Sequence, residues 1–339
     1  MQHHHCRCLG ALSASGTVYV GSMDSKLYAF TYSGSGSAPT VKWSLTTGGG
    51  IAGSPVLSAD GSLVYVGSAD KKLYAALVAT GVKQWEVVAG GAIASSPALG
   101  GTFNRLYFGD YNGDVYAVQT TGSAAAQTAS IQWTVPTGSI GTNSNIANMP
   151  AIAADGVTIY VGSNTNNLVA IKDEDTAGTV QWSFATGGDV FSAPAVAADG
   201  QFGWLTCSVI TLAIVYFAVV CLSESRCCCA LCAGTLYFGS WDSKVYALKD
   251  NGASVTKKWE FATSHRVSST PTISANGVIY FGSHDASVYA ITDDTTAAVS
   301  VWTYDTGSGQ PITGSAAIDA DGTVYIGSED SNVYAIRPY

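Results

Sequence analysis

Leu63-Val64-Tyr65-Val66-Gly67-Ser68 is a short run of alternating β-branched and aromatic residues that ends on glycine and serine. Its last four residues return, nearly unchanged, along the whole chain. They stand at Tyr19-Val20-Gly21-Ser22, Tyr107-Phe108-Gly109-Asp110, Tyr160-Val161-Gly162-Ser163, Tyr237-Phe238-Gly239-Ser240, Tyr280-Phe281-Gly282-Ser283 and Tyr325-Ile326-Gly327-Ser328. Successive glycines are 46, 42, 53, 77, 43 and 45 residues apart. Strand-forming composition repeated at a period in the forties is the sequence signature of a β-propeller.

One repeat, read outward from that run, supplies four strands. Upstream, Ala52 to Gly61 holds a short apolar stretch closed by Asp60-Gly61, a turn signal. Leu63–Gly67 follows as the second strand, Ser68–Lys71 as a polar turn, and Leu73–Leu77 as the third strand. Thr80-Gly81 turns the chain into Gln84–Val88, the fourth. The glycine of the tetrapeptide is expected where blades press together. The turn aspartate recurs at Asp24, Asp70, Asp242, Asp285 and Asp330, with Asn112 and Thr165 in the other copies. Its side chain is suited to bonding nearby N–H groups and closing the hairpin. Six fourth-strand tryptophans, Trp43, Trp85, Trp133, Trp182, Trp259 and Trp302, are expected to wedge between blades.

Ala75-Ala76-Leu77-Val78-Ala79-Thr80-Gly81-Val82-Lys83-Gln84-Trp85 resembles the tryptophan docking motif of quinoprotein propellers, Ala-x-Asp-x-x-Thr-Gly-x-x-x-Trp, with Leu77 in place of the aspartate. With the seven tetrapeptides, the chain resembles the PQQ-like repeat family over residues 10 to 339, less one segment. The match lies in scaffold residues, so it speaks for architecture and not for chemistry. The expected fold is an all-β, seven-bladed propeller of four-stranded antiparallel blades. Its last blade lacks the outer strand, because the sequence runs out at Tyr334–Tyr339 before a seventh tryptophan strand. Eight blades are the alternative if the chain is truncated. Residues 9–339 then form one domain behind a disordered segment 1–8.

The segment 201–234 breaks this pattern. It accounts for the 77-residue step, and without it Ala198-Asp199-Gly200 runs straight into Thr235-Leu236-Tyr237. It holds Cys207, Cys221, Cys227, Cys228, Cys229 and Cys232, six of the eight cysteines; the others are Cys6 and Cys8. Residues 203–222 are uncharged and long enough to span a bilayer. A single crossing inside a blade would split the propeller, so the segment reads as a translated intron or another gene-model error. A membrane-dipping loop and a helix packed on the propeller side are the alternatives, and only these would bring membrane contact. The cysteine triplet lies outside the repeat pattern, and one Cys-x-x-Cys pair is a weak zinc signal. His3-His4-His5 reads as a terminal remnant, and no metal site is assigned. Residues 1–14 make no convincing signal peptide, so the compartment is unread and the natural start is placed upstream.

A formal net charge of −9 without a basic stripe speaks against nucleic acid as a partner. Binding is expected on the face where outer-to-inner loops meet the second-to-third-strand turns. Departures from the repeat there are Asn143, Asn145, Asp189, Phe191, Trp241, His265, Arg266, His284 and Gln310. His265, Arg266, His284 and Trp241 come from consecutive blades and are expected to look toward Asp189 two blades back. Two functions compete. One is a non-catalytic scaffold that binds a protein or extended ligand through this rim, as the resemblance to assembly-scaffold members of the family implies. The other is a quinoprotein dehydrogenase oxidising alcohols or sugars with PQQ and Ca²⁺. The resemblance then implies a carboxylate base, oxygen ligands and an arginine near the quinone, for which Asp189, Asn143, Asn145 and Arg266 are the candidates. Repeats of 42 to 46 residues leave little room for the long insertions of catalytic members, which favours the scaffold. A glycosidase would need a carboxylate pair that the sequence does not display.

Removing residues 201–234 is expected to preserve or raise the melting temperature and to reduce aggregation. Loss of cooperative folding in the shortened protein would show instead that the segment is structural.

Overall fold

In a computed structural model of the chain, residues 10–13, 16–31, 38–137, 149–197, 234–294 and 296–337 are described. They form seven antiparallel sheets, six of four strands and a last one of three. The fold is an all-β, seven-bladed propeller. By contacts the chain divides into two compact units, the first carrying blades 1 to 3 and the second blades 4 to 7.

Blade 1 is Ala11–Leu12, Thr17–Ser22, Lys26–Thr31 and Thr40–Thr46. Blade 2 is Val56–Leu57, Leu63–Gly67, Lys72–Leu77 and Lys83–Val88, and blade 3 is Ala98–Gly100, Arg105–Gly109, Asp114–Thr121 and Thr128–Pro136. In the second unit, blade 4 is Ala151–Ile152, Thr158–Ser163, Asn167–Asp173 and Gly178–Ala185. Blade 5 is Ala195–Val196, Thr235–Ser240, Lys244–Asp250 and Val255–Ala262. Blade 6 is Thr272–Ile273, Val278–Gly282, Ser287–Asp294 and Ala297–Asp305. Blade 7 has only Ala317–Ile318, Val324–Gly327 and Val333–Ile336, without an outer strand among the described residues. The first two strands of blade 5 pair directly, Ala195 opposite Tyr237 and Val196 opposite Leu236, so the sequence reads across the interrupting segment as expected. Residues 201–233 of that segment, residues 1–9, Asn143 and Asn145 lie outside the described residues.

The tetrapeptide proves to be one half of a stitch between successive blades. Five of its glycines, Gly21, Gly67, Gly162, Gly239 and Gly282, face a β-branched residue of the loop that leaves their own blade for the next. A Cβ on Gly67 would come closer than 3.0 Å to Cγ2 of Ile93, as would one on Gly239 to Cγ1 of Val267 and one on Gly282 to Cγ2 of Ile312. Ile51, Ile93, Val190, Val267 and Ile312 are all fully buried. The same five residues donate their N–H groups back to the carbonyls of Ser22, Ser68, Ser163, Ser240 and Ser283, at 2.9–3.0 Å. One apolar anchor and one backbone bond therefore act on the same residue.

The other half of the stitch runs forward. Asp70 accepts from the N–H of Lys72 (3.2 Å) and the hydroxyl of Tyr74 (2.5 Å) within its blade, and from Gly48 N–H (2.7 Å) on the incoming loop. Asp242 does the same for Lys244, Tyr246 and Gly187, and Asp285 for Ser287, Tyr289 and Ser264. These aspartates are turn residues, as the sequence suggested, but each also ties in the preceding blade. Blade 3 departs from expectation. Asp110, two positions before Asn112, bonds Asn112 N–H, Tyr116 and Gly91. In blade 4 the aspartate and its tyrosine are replaced together, by Thr165 and Val169.

The tryptophans pack beside the tetrapeptide tyrosines, with ring centroids 5.6–6.0 Å apart in blades 1 to 6. In five blades the tryptophan sits opposite an alanine, at Ala29, Ala75, Ala117, Ala247 and Ala290, and a bulge follows at once. Their polar ends reach into the next blade. The Trp182 indole N–H and the Tyr160 hydroxyl both donate to Asp250, at 3.0 and 2.5 Å. Trp259 and Tyr237 both donate to Asp293, at 2.8 and 2.5 Å, and Trp85 and Tyr65 to Gln127. Trp43 donates to the backbone carbonyl of Val78 (2.9 Å), so blade 2 docks a tryptophan without the aspartate that Leu77 replaces.

Asp293 also pairs with Lys258 (2.6 Å). Burial alone would raise its carboxyl, yet the hydrogen bonds from Lys258, Tyr237 and Trp259 outweigh burial and hold it below the usual carboxylate range. Its contribution to stability is thus present above the unfolded-state value of about 3.9 and is lost as pH falls through the lower folded value. Asp293→Asn is expected to lower the melting temperature at pH 7, with the gap to the parent protein narrowing below about pH 4. A gap that stays constant across that range would show that the ionised carboxylate is not what holds the joint. At the apolar half of the stitch, Gly67→Ala should cost about 1–3 kcal/mol in chemical denaturation. Ile93→Ala in the same chain should recover part of that loss, a non-additivity expected only of groups in contact.

Candidate functional site

At five described joints the stitch fixes two backbone positions without dictating which side chains they carry. One is the residue just before the buried anchor; the other follows the Gly-Ser pair. The second donates its N–H to the carbonyl of the first: Ala69 to Gly50, Tyr111 to Ala92, Trp241 to Asp189, His284 to Arg266 and Glu329 to Pro311, all at 2.9 Å. At each of these five joints the incoming loop and the turn therefore lie together, as the sequence reading required. In the first unit the pairs at joints into blades 2 and 3 are Gly50 with Ala69 and Ala92 with Tyr111, which carry no charge. In the second unit, blades 5 and 6 carry Asp189 with Trp241 and Arg266 with His284.

The side chains of the second pair of joints meet. The Arg266 guanidinium lies 4.4 Å from the Trp241 ring centroid, a cation–π contact. Phe191 packs on Trp241 at 4.6 Å, and His284 meets the indole edge to face at 6.4 Å. His265 stacks on His284 at 5.9 Å with an interplanar angle of 11°. The His284 ring is positioned by Ser268, Nε2 to Oγ 2.7 Å, and His265 accepts the N–H of Arg266 at Nδ1 (2.9 Å). His265 and Arg266 are exposed; Phe191, Trp241, His284 and Asp189 are half-buried.

Asp189 differs from its expected position. It does not look across from two blades back, because its loop caps blade 5 itself and its carbonyl is bonded to Trp241. Burial pushes its carboxyl up, and the charge of Arg266 partly offsets this. Gln310 stands one joint further on, exposed, with its backbone N–H on Ser308 Oγ (3.2 Å) and no contact with the cluster among the described residues. Missed in the sequence were Ser268, which orients His284, and the pairing of positions that brings Asp189 to Trp241. The signal for the pairing was there: Asp189 and Arg266 each directly precede a β-branched residue, Val190 and Val267, in register with Gly50-Ile51.

Among the described residues no group of three or more histidine, cysteine or acidic side chains could hold a metal ion, and no helix is long and apolar enough to cross a membrane. Ca²⁺ needs six to eight oxygen ligands. Asp189 is one carboxylate, while Asp242 and Asp285 are each already occupied by two N–H groups and a tyrosine hydroxyl. The described residues of the cluster therefore do not fit a PQQ–Ca²⁺ site.

Comparison with known proteins bears on the scaffold. No curated protein matches the chain by sequence. Solved structures do match in fold. A chain in the "Crystal Structure of Mitotic Checkpoint Complex" aligns with TM-score 0.65 at 13% identity, over 98% of this chain and 87% of that one. The WD40 propeller domain of Doa1 aligns with TM-score 0.61 at 13% identity, over 99% and 94%. BamB from Moraxella catarrhalis aligns with TM-score 0.63 at 15% identity, over 97% and 87%. At these identities the likeness concerns fold alone. The sequence itself matches a family model of PQQ-like repeats, described as outer membrane protein assembly factor BamB, over residues 4–132 and 221–339. Those two stretches make up most of the chain, which thus belongs to the BamB family of PQQ-like repeat propellers.

Proposed function

We propose that this chain is a non-catalytic propeller scaffold that binds a partner protein through the loop face of blades 5 and 6. The observation that carries this reading is the asymmetry of the paired positions. The same backbone frame presents glycine and alanine at the joint into blade 2, but Asp189, Trp241, Arg266 and His284 at the joints into blades 5 and 6. Aromatic residues and arginine are the residue types enriched at the energetic centres of protein interfaces. Here the arginine is pre-ordered on an indole face, which lowers the entropy lost when a partner docks.

The relatives point the same way. The family model is described by an assembly factor, and one fold neighbour is a chain of a mitotic checkpoint complex. Gln310 joins the same proposed rim through the loop that enters blade 7, while Asn143 and Asn145, rim candidates from the sequence, lie outside the described residues.

A photoreactive amino acid placed at Gln310 leaves the cluster intact and samples its face; one at Val299 samples the outer strand of blade 6. Irradiation in producing cells is expected to give discrete protein adducts from position 310 and not from 299. Equal patterns from both positions would overturn the loop-face assignment. Stoichiometric binding of PQQ with Ca²⁺, accompanied by dye-linked oxidation of alcohols or sugars, would overturn the non-catalytic one.

A further inference from the structure

Many described charged side chains are paired. Asp70, Asp242 and Asp285 each accept N–H and hydroxyl donors, and Lys72, Lys83, Lys244, Lys257 and Lys258 are each paired with a carboxylate. Asp189 and Arg266 stand side by side without such partners. They interact electrostatically, yet among the described residues neither the carboxylate nor the guanidinium has a hydrogen bond or an ion pair. The indole N–H of Trp241, the ring that Arg266 covers, is buried and has no acceptor among the described residues.

Opposite charges near each other normally close on one another. Here each is held back by its own anchor. Asp189 is fixed through its carbonyl to Trp241 and by the burial of Val190, and Arg266 is laid over the Trp241 ring. A guanidinium stacked by one face keeps its in-plane donors free for an acceptor such as a carboxylate. A lone carboxylate on the face that also carries Asp242 and Asp285, in a chain of net charge −9, favours a cation. Phe191, half-exposed and packed on Trp241, adds an apolar platform.

Resting on the protein-binding reading above, we infer that Asp189, Trp241 and Arg266 form a mixed-charge receptor for an extended peptide segment. The segment sets a basic residue on Asp189, an acidic residue on Arg266 and an apolar side chain between them on Phe191. The receptor differs from a plain anion site, since an acid-only ligand would meet Asp189, and from a plain cation site, since a base-only ligand would meet Arg266.

The test uses the full chain and N-acetylated, C-amidated heptapeptides in which one lysine and one glutamate flank a leucine. Their separation is varied over one to three intervening residues and in both orders, with glutamine replacing either charge or both. Calorimetric titration is expected to find a mixed-charge peptide that binds at least tenfold more tightly than its glutamine counterparts. Asp189→Asn should erase the advantage given by lysine and Arg266→Ala the advantage given by glutamate, each leaving the other in place. Arg266→Lys, which keeps charge but loses the planar fork, should fall between. Equal binding of charged and uncharged peptides would overturn the inference, as would a charge preference that survives both substitutions. The two readings fail separately. Adducts from position 310 without any peptide preference sink the receptor alone, whereas a preference that follows Asp189 and Arg266 without adducts sinks the partner reading.

Discussion

Everything else in this molecule depends on a methyl group meeting a missing side chain. Where the glycine of Tyr-Val-Gly-Ser lacks a Cβ, the β-branched residue of the outgoing loop fills the space, and its own N–H closes on the serine carbonyl beside it. The contact is apolar and buried, so it is insensitive to salt and fixes the loop to within one residue. Only with that residue pinned can the neighbouring loop amide meet the turn aspartate of the following blade. The tyrosine and tryptophan, packed together further out, then share a single acceptor across the joint. The polar parts of the joint are thus consequences of the apolar one.

The fold was legible because this contact forces a residue type. No side chain can replace Gly67 or Gly282 without striking Ile93 or Ile312, so the glycine is kept with its tyrosine and serine in a recognisable block. The acceptors for the tryptophans were harder to read. Asp250 and Asp293 stand three residues after the alanine that faces a tryptophan, just past the bulge in the pairing. In blade 2 that position is Val78, which answers with its carbonyl, and in blade 3 the acceptor is Gln127. Backbone groups and long side chains can do the work of a short aspartate, so the chemistry persists while the letters change. Asp110 taking over from Asn112 in blade 3 has the same cause, since a carboxylate two residues earlier still reaches the equivalent strand N–H and tyrosine hydroxyl, Asp114 and Tyr116, and takes the neighbouring loop amide of Gly91.

The site was legible residue by residue and not as a constellation. Trp241, His265, Arg266 and His284 stood out as exceptions to a repeat, and they do come together. Their relation to Asp189 did not follow from counting blades, because an outer-to-inner loop is tied both to the blade it leaves and to the blade it enters. The hydrogen bond from Trp241 to the Asp189 carbonyl is what reassigns it. Ser268 was invisible for another reason: a buried serine in a run of serines carries no signal until the ring it supports is known.

The backbone bond that joins the two variable positions at the five described joints has an evolutionary side. It uses only main-chain atoms, so neither position is asked to contribute a side chain to stability, and the same bond is made by glycine with alanine as by arginine with histidine. Mutational drift at these places is therefore nearly free of folding cost, and a copy of the repeat can acquire new side chains without retuning its neighbours. Such a frame behaves as a type case with exchangeable letters, in which a binding surface is composed afresh while the press that holds it stays unaltered.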